Sequence, residues 1–150
     1  MDRSKWQYQI IPKAISLIFI LLFVYAATSK LLDYGQFQFQ LSKSPYVSQY
    51  SNCLGWGIPF IEYCIAILLA YPKYMLTALY ASLGIMIMFT GYIYAVLEYS
   101  DFRPCSCGGI ISSLDWEEHL VFNLLFIALA LTGITLIHKN KTDQINNNTT

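Results

Sequence analysis

The sequence predicts an all-α integral membrane protein, a four-helix bundle with both termini in the cytoplasm. Hydrophobic residues make up 56% of its 150 residues and charged residues 12%, about half the charge of a soluble domain. Four apolar runs divide the chain, each close to the roughly 20 residues that a helix needs to cross a bilayer. Lipid must therefore cover much of the surface. Lysine plus arginine equals aspartate plus glutamate at nine each, so no nucleic-acid partner is predicted.

Each apolar run predicts one transmembrane helix, because a spanning segment must satisfy its own backbone hydrogen bonds. The predicted helices cover residues 13–32, 55–71, 74–97 and 118–137. The first run follows Arg3, Lys5 and Lys13, as a signal peptide would, but it is long and lacks a clean A-x-A cleavage site, so we expect it to remain. The helices form one domain at residues 1–138, and the polar tail at 139–150 is predicted to be disordered.

Basic residues predict the orientation of the bundle. One side of the membrane carries six of them and the other side three. The first side has Arg3, Lys5, Lys13, Lys73, Lys139 and Lys141, and the second has Lys30, Lys43 and Arg103. The positive-inside rule then places the loops 33–54 and 98–118 on the periplasmic side of a bacterial inner membrane. Aromatic residues among the glutamines of the first loop predict a segment lying at the membrane interface.

Cys105 and Cys107 form a C-x-C pair in the second outer loop. Strained, exposed disulfides tend to exchange, and the neighbouring Arg103 would favour a thiolate, so the pair predicts thiol–disulfide exchange. A permanent disulfide that braces the loop is an alternative, although so small a ring removes little chain entropy. Binding of Cu(I) by the two thiolates is a second alternative. The motif favours exchange and leaves both alternatives open.

The two other cysteines lie in different settings. Cys53 ends the first outer loop, where it would meet Cys105 or Cys107 and act as a resolving thiol. Equally, it would serve as an ordinary small residue at the start of a helix. Cys64 falls near the middle of the second predicted helix, where a lone cysteine is typically a small apolar core residue.

Trp116, His119 and Asn123 are spaced i, i+3 and i+7, and they therefore share one face of the fourth predicted helix. His119 suits a proton relay for thiol chemistry or a hydrogen bond to a quinone head group. The alternative is a packing face, with Trp116 at the interface and Asn123 holding neighbouring helices together. Quinone is thus a hypothetical cofactor of this face.

Glu62 lies inside the second apolar run, where a carboxylate is costly and should face the bundle with a partner. Lys30, near the outer end of the first predicted helix, is the candidate at similar depth. We interpret Lys30 and Glu62 as a structural pair within the membrane, with a proton path as the alternative.

Together these residues resemble the MauE/DoxX family of redox-associated membrane proteins. The resemblance covers roughly residues 10–138, and Gly109 departs from the aromatic residue expected there. Its motifs are Lys30-Leu31-Leu32-Asp33, Pro59-x-x-Glu62, Pro104-Cys105-Ser106-Cys107-Gly108-Gly109 and Leu114-x-Trp116-x-x-His119-x-x-x-Asn123. The resemblance implies a supporting role in thiol–disulfide chemistry outside the cytoplasmic membrane. MauE is associated with the maturation of a disulfide-rich methylamine dehydrogenase subunit, and DoxX-like members with quinones or membrane complexes.

We therefore predict a membrane-embedded thiol–disulfide oxidoreductase, in which Cys105 and Cys107 carry the reaction and Cys53 and His119 assist. Its partners would be the lipid bilayer and a periplasmic or membrane protein with thiols. The chief alternative is a non-enzymatic subunit of a larger membrane complex with a structural C-x-C disulfide. The other is a membrane protein that handles Cu(I).

Overall fold

The computed structural model describes residues 3–44, 46–99 and 116–148, and every regular element among them is helical. Five α-helices and one short 3-10 helix occur in these residues. They are α1 (Arg3–Leu32), α2 (Tyr34–Lys43), the 3-10 helix (Ser48–Tyr50), α3 (Ser51–Ala70), α4 (Met75–Tyr99) and α5 (Trp116–Asn148). The long helices run alternately up and down, so the end of α1, the start of α3, the end of α4 and the start of α5 lie at one end of the bundle, called here the α2 end.

Four of these helices are long and apolar enough to cross a membrane, which confirms the predicted number of spans. The candidate spans are Ile10–Leu32, Ser48–Ala70, Met75–Tyr99 and Glu117–Gln144. Large apolar side chains point outward from all of them, as expected of a surface that faces lipid. Examples are Leu21, Phe60, Ile67, Met88 and Leu125. The chain is therefore a multi-pass α-helical membrane protein.

The four spanning helices follow one another around a ring in the order α1, α3, α4, α5, with each packed against the next. Phe19 of α1, Leu79 of α4 and Ala130 of α5 are fully buried in the shared core. Hydrogen bonds of hydroxyl side chains join α1 to α3. Ser16 Oγ donates a hydrogen bond to the Leu69 carbonyl at 2.9 Å, and the hydroxyls of Thr28 and Tyr63 are 2.7 Å apart. Such side-chain hydrogen bonds help to hold helices together where the surrounding lipid is as apolar as the core.

The C-terminal segment differs from its prediction. Residues 139–150 were predicted to be disordered, but α5 continues to Asn148. Residues 139–148 contain neither proline nor glycine, and extending an existing helix costs far less than starting one. Two other helices begin earlier than predicted, α1 at Arg3 rather than 13 and α3 at Ser51 rather than 55.

The loop between α1 and α3 contains a helix that the sequence analysis did not predict. Helix α2 buries Phe37, Gln40 and Leu41, the i, i+3, i+4 set of an amphipathic helix. Residues that follow α2 are hydrogen-bonded to α4. The Tyr92 hydroxyl donates to Ser44 Oγ at 3.0 Å, and the Tyr46 hydroxyl donates to the Ala95 carbonyl at 3.4 Å. Helix α2 is thus anchored to the α2 end of the bundle.

Gly55 determines how closely α2 approaches α3. A Cβ atom at residue 55 would lie 3.0 Å from the Tyr34 hydroxyl oxygen, and the Tyr34 ring stacks near Trp56 at 4.9 Å between centroids. We predict that Gly55→Val displaces the Tyr34 ring and loosens α2, which faster amide hydrogen exchange in residues 34–43 would detect. Gly57→Val is the matched control, since a Cβ there meets nothing within 4 Å. Equal exchange in both variants would contradict the prediction.

Candidate functional site

A charged pair lies inside the membrane-spanning part of the bundle, near the α2 end. Lys30 Nζ donates to Glu62 Oε1 at 2.7 Å, so the structure brings the two residues together. The Glu62 side chain is 1% exposed and the Lys30 side chain 19%. A charge so deeply buried requires a partner of opposite sign, and the salt bridge joins α1 to α3.

Lys30 reaches the middle of the bundle, where other helices contribute to its surroundings. Its ammonium lies 6.0 Å from the centre of the Phe37 ring of α2 and 5.9 Å from that of the Phe89 ring of α4, both within cation–π range. It also donates to the Ala26 carbonyl at 3.4 Å. Helices α2, α3 and α4 therefore all contribute to the surroundings of Lys30.

His119 and Asn123 are polar groups of α5, one helical turn apart. His119 is half-buried and its ring lies 6.5 Å from that of Phe122, while Asn123 is 3% exposed. Trp116 begins α5, but its side chain lies outside the described part of the chain. Lys30 and Glu62 are called the polar centre below.

Two buried polar atoms of these residues have no hydrogen-bond partner among the described residues. They are Oε2 of Glu62 and Nδ2 of Asn123, an acceptor on α3 and a donor on α5. Buried polar atoms are normally hydrogen-bonded, and an unsatisfied one costs several kcal/mol in a membrane interior. Glu62 therefore offers an acceptor on α3, and Asn123 offers a donor on α5.

The cysteines divide between described and undescribed parts of the chain. Cys53 is exposed at the start of α3, at the α2 end, and Cys64 is half-buried within α3; both are free thiols. Cys105 and Cys107 lie outside the described residues. Their flanking helix ends, Tyr99 of α4 and Trp116 of α5, also lie at the α2 end. No group of three or more His, Cys, Asp and Glu side chains that would hold a metal ion occurs within residues 3–44, 46–99 and 116–148.

Sequence reasoning paired Lys30 with Glu62 but treated His119 and Asn123 as a separate face. The structure brings Lys30 and Glu62 within 2.7 Å of each other and buries Asn123 on α5. Phe37 and Phe89 were missed. For Phe37 the signal was the i, i+3, i+4 spacing with Gln40 and Leu41, whereas nothing in the sequence distinguishes Phe89 from other apolar residues of α4.

The fold and the polar centre define a four-span α-helical membrane protein with a buried Lys–Glu pair. A model of the family described as "Methylamine utilisation protein MauE" matches residues 8–136 of the chain. The chain therefore belongs to the MauE family, as its sequence motifs predicted. No curated protein and no solved structure matches it significantly.

Proposed function

We propose that this MauE-family protein exchanges disulfides with partner proteins at the outer face of the bacterial inner membrane, through Cys105 and Cys107. The observation that carries the proposal is the exposed thiol of Cys53 at the α2 end, where both helix ends that flank the C-x-C segment also lie. An accessible thiol at that end can attack a disulfide formed within the C-x-C segment. The partner would be a periplasmic or membrane protein with thiols of its own.

Exchange proceeds by substitution at sulfur. A thiolate of the partner attacks one sulfur of the Cys105–Cys107 disulfide, and the other cysteine leaves as a thiolate. The second thiol of the partner then breaks the mixed disulfide, so the partner gains a disulfide and the C-x-C pair gains two electrons. The reverse sequence reduces the partner. In this proposal Cys53 acts as a resolving thiol that attacks a trapped mixed disulfide.

A redox titration tests the proposal. The purified protein is equilibrated in detergent with glutathione or dithiothreitol buffers, and free thiols are trapped with a mass-tagged maleimide in a Cys53→Ser, Cys64→Ser background. We expect a reversible midpoint for Cys105 and Cys107 between about −120 and −270 mV, the range of working oxidoreductases. A pair that is reduced only below about −300 mV is a structural clip, and the protein is then an accessory subunit.

The proposed orientation, with the α2 end facing the periplasm, can be tested separately. In a variant whose only cysteine is Cys53, a membrane-impermeant maleimide should label intact spheroplasts, because Cys53 is exposed at the proposed outer end. The matched control carries Thr142→Cys in a cysteine-free chain, since Thr142 is exposed toward the opposite end of α5. It should react only after the membrane is permeabilised. The reverse pattern would show that the termini face outward.

A further inference from the structure

The end of the bundle opposite the α2 end carries an excess of exposed positive charge. Lys13 of α1, Lys73 of the turn between α3 and α4, and Lys139 and Lys141 of α5 are all exposed there. Asp143 is the only exposed carboxylate of this end among the described residues. The four lysines are called the basic rim below.

The α2 end has the opposite sign. Lys43 is its one exposed lysine in the described part of the chain, because Lys30 is half-buried and paired with Glu62. Four carboxylates are exposed at the same end. They belong to Asp33, Glu98, Glu117 and Glu118. An anion at the membrane surface is therefore attracted to one end of the bundle and repelled by the other.

The basic rim lies where the spanning segments meet the membrane surface. Lys73 is in the short turn between the span that ends at Ala70 and the span that begins at Met75. Tyr71 and Tyr74 are exposed beside it, and exposed tyrosines are typical of the level of the lipid head groups. On α5 the apolar run ends at residue 137, immediately before the lysines. The basic rim is therefore at head-group depth.

A hydrogen bond joins α4 to α5 close to the basic rim. The Tyr80 hydroxyl and His138 Nε2 are 3.1 Å apart, and both side chains are exposed. From this contact toward the end of the bundle, Lys141 lies about 5 Å beyond His138 along α5, and Lys73 lies about 10 Å beyond Tyr80 along α4. Both helices of the contact therefore carry a lysine toward the membrane surface.

The charge and the depth of the basic rim together select its partner. Each lysine near a membrane surface strengthens the binding of an anionic lipid by about fivefold, whereas a zwitterionic head group has no net charge to attract. A soluble acidic protein would not require lysines at the level of exposed tyrosines, between lipid-facing helices. The partner that fits both observations is an anionic phospholipid.

We propose that the basic rim binds the phosphate of an anionic phospholipid from the leaflet opposite the α2 end. The lysine ammonium groups donate charge-assisted hydrogen bonds to the phosphate oxygens. The acyl chains lie against the exposed apolar side chains of α4 and α5, among them Ile87 and Leu131. No cysteine takes part, so the lipid site is independent of disulfide exchange.

Lipid titration tests the inference directly. The full chain in detergent is titrated with phosphatidylglycerol or with phosphatidylcholine of the same acyl chains, and bound lipids are counted by native mass spectrometry. We expect phosphatidylglycerol to bind at least about tenfold more tightly, with an advantage that shrinks as salt is added. Inorganic phosphate in excess should not displace it. Equal binding of the two lipids, or displacement by inorganic phosphate, would overturn the inference.

Single lysine variants locate the site. Lys73→Gln should weaken phosphatidylglycerol binding by about fivefold, and Lys141→Gln in the same chain by about fivefold again. Lys43→Gln is the matched control. Its ammonium lies 5.5 Å from the Phe39 ring centre, as that of Lys73 does from the Tyr74 ring centre, but at the α2 end. We expect no change in this control. An equal loss in Lys43→Gln, or none in the double variant, would show that the basic rim does not select the lipid.

Discussion

Lys30→Met should destabilise the bundle by about 3–5 kcal/mol, because it leaves the Glu62 carboxylate buried without its partner. Glu62 is 1% exposed and Lys30 is its only partner among the described residues. The carboxylate has a short side chain and cannot reach water from inside α3. Unfolding in mixed micelles of increasing denaturing-detergent content, followed by circular dichroism, measures the change.

The reciprocal substitution should cost less. Lys30 lies in the last turn of α1, and its side chain is 19% exposed, so after Glu62→Leu the ammonium can extend toward the interface. The double variant Lys30→Met, Glu62→Leu should recover most of the stability, since an apolar pair of similar volume often replaces a buried ion pair without loss. The cycle of three variants gives the coupling energy. Additive losses would show that the two residues do not stabilise each other.

Gly133→Leu should be the most damaging substitution of a glycine in the described spans, at about 1–3 kcal/mol or more from overpacking. A Cβ at residue 133 would lie 3.3 Å from Ile15 Cγ2 and 3.3 Å from Leu79 Cδ1, so α5 approaches both α1 and α4 at this glycine. A leucine there has to push α5 away from the core. The same detergent unfolding assay measures the loss.

Gly84→Leu is the matched control for Gly133→Leu. Gly84 lies in α4, is exposed, and a Cβ there meets nothing within 4 Å. A leucine at residue 84 would face lipid and improve helix propensity, so the stability should be unchanged or slightly higher. If the two variants unfold alike, close approach at Gly133 does not limit the packing of α5.

The spans and the Lys30–Glu62 contact were accessible to sequence reasoning because the membrane leaves few alternatives. A run of about 20 apolar residues has to be a helix, and a carboxylate within such a run has to find a cation at similar depth. Both requirements can be applied from the type of each residue and its position in the sequence alone. They do not depend on how each helix is rotated about its axis.

The rest of the site depends on helix rotation and on tertiary packing. Asn123 faces the bundle rather than lipid because α5 packs against α1 and α4 with that face inward. Phe37 reaches Lys30 because α2 folds back over the end of the bundle. The i, i+3, i+4 spacing of Phe37, Gln40 and Leu41 identifies the face of α2 that is buried, but it does not identify the surface against which that face packs.

The salt bridge between α1 and α3 has a consequence for biosynthesis. Lys30 and Glu62 belong to the first two spans that leave the ribosome, so each charge can be neutralised before α4 and α5 have been made. A lone charge at the centre of a spanning helix costs about 2.5–3.5 kcal/mol on insertion. The first helical hairpin can therefore enter the bilayer as an electrically neutral unit, and the second hairpin then assembles against a template that is already formed.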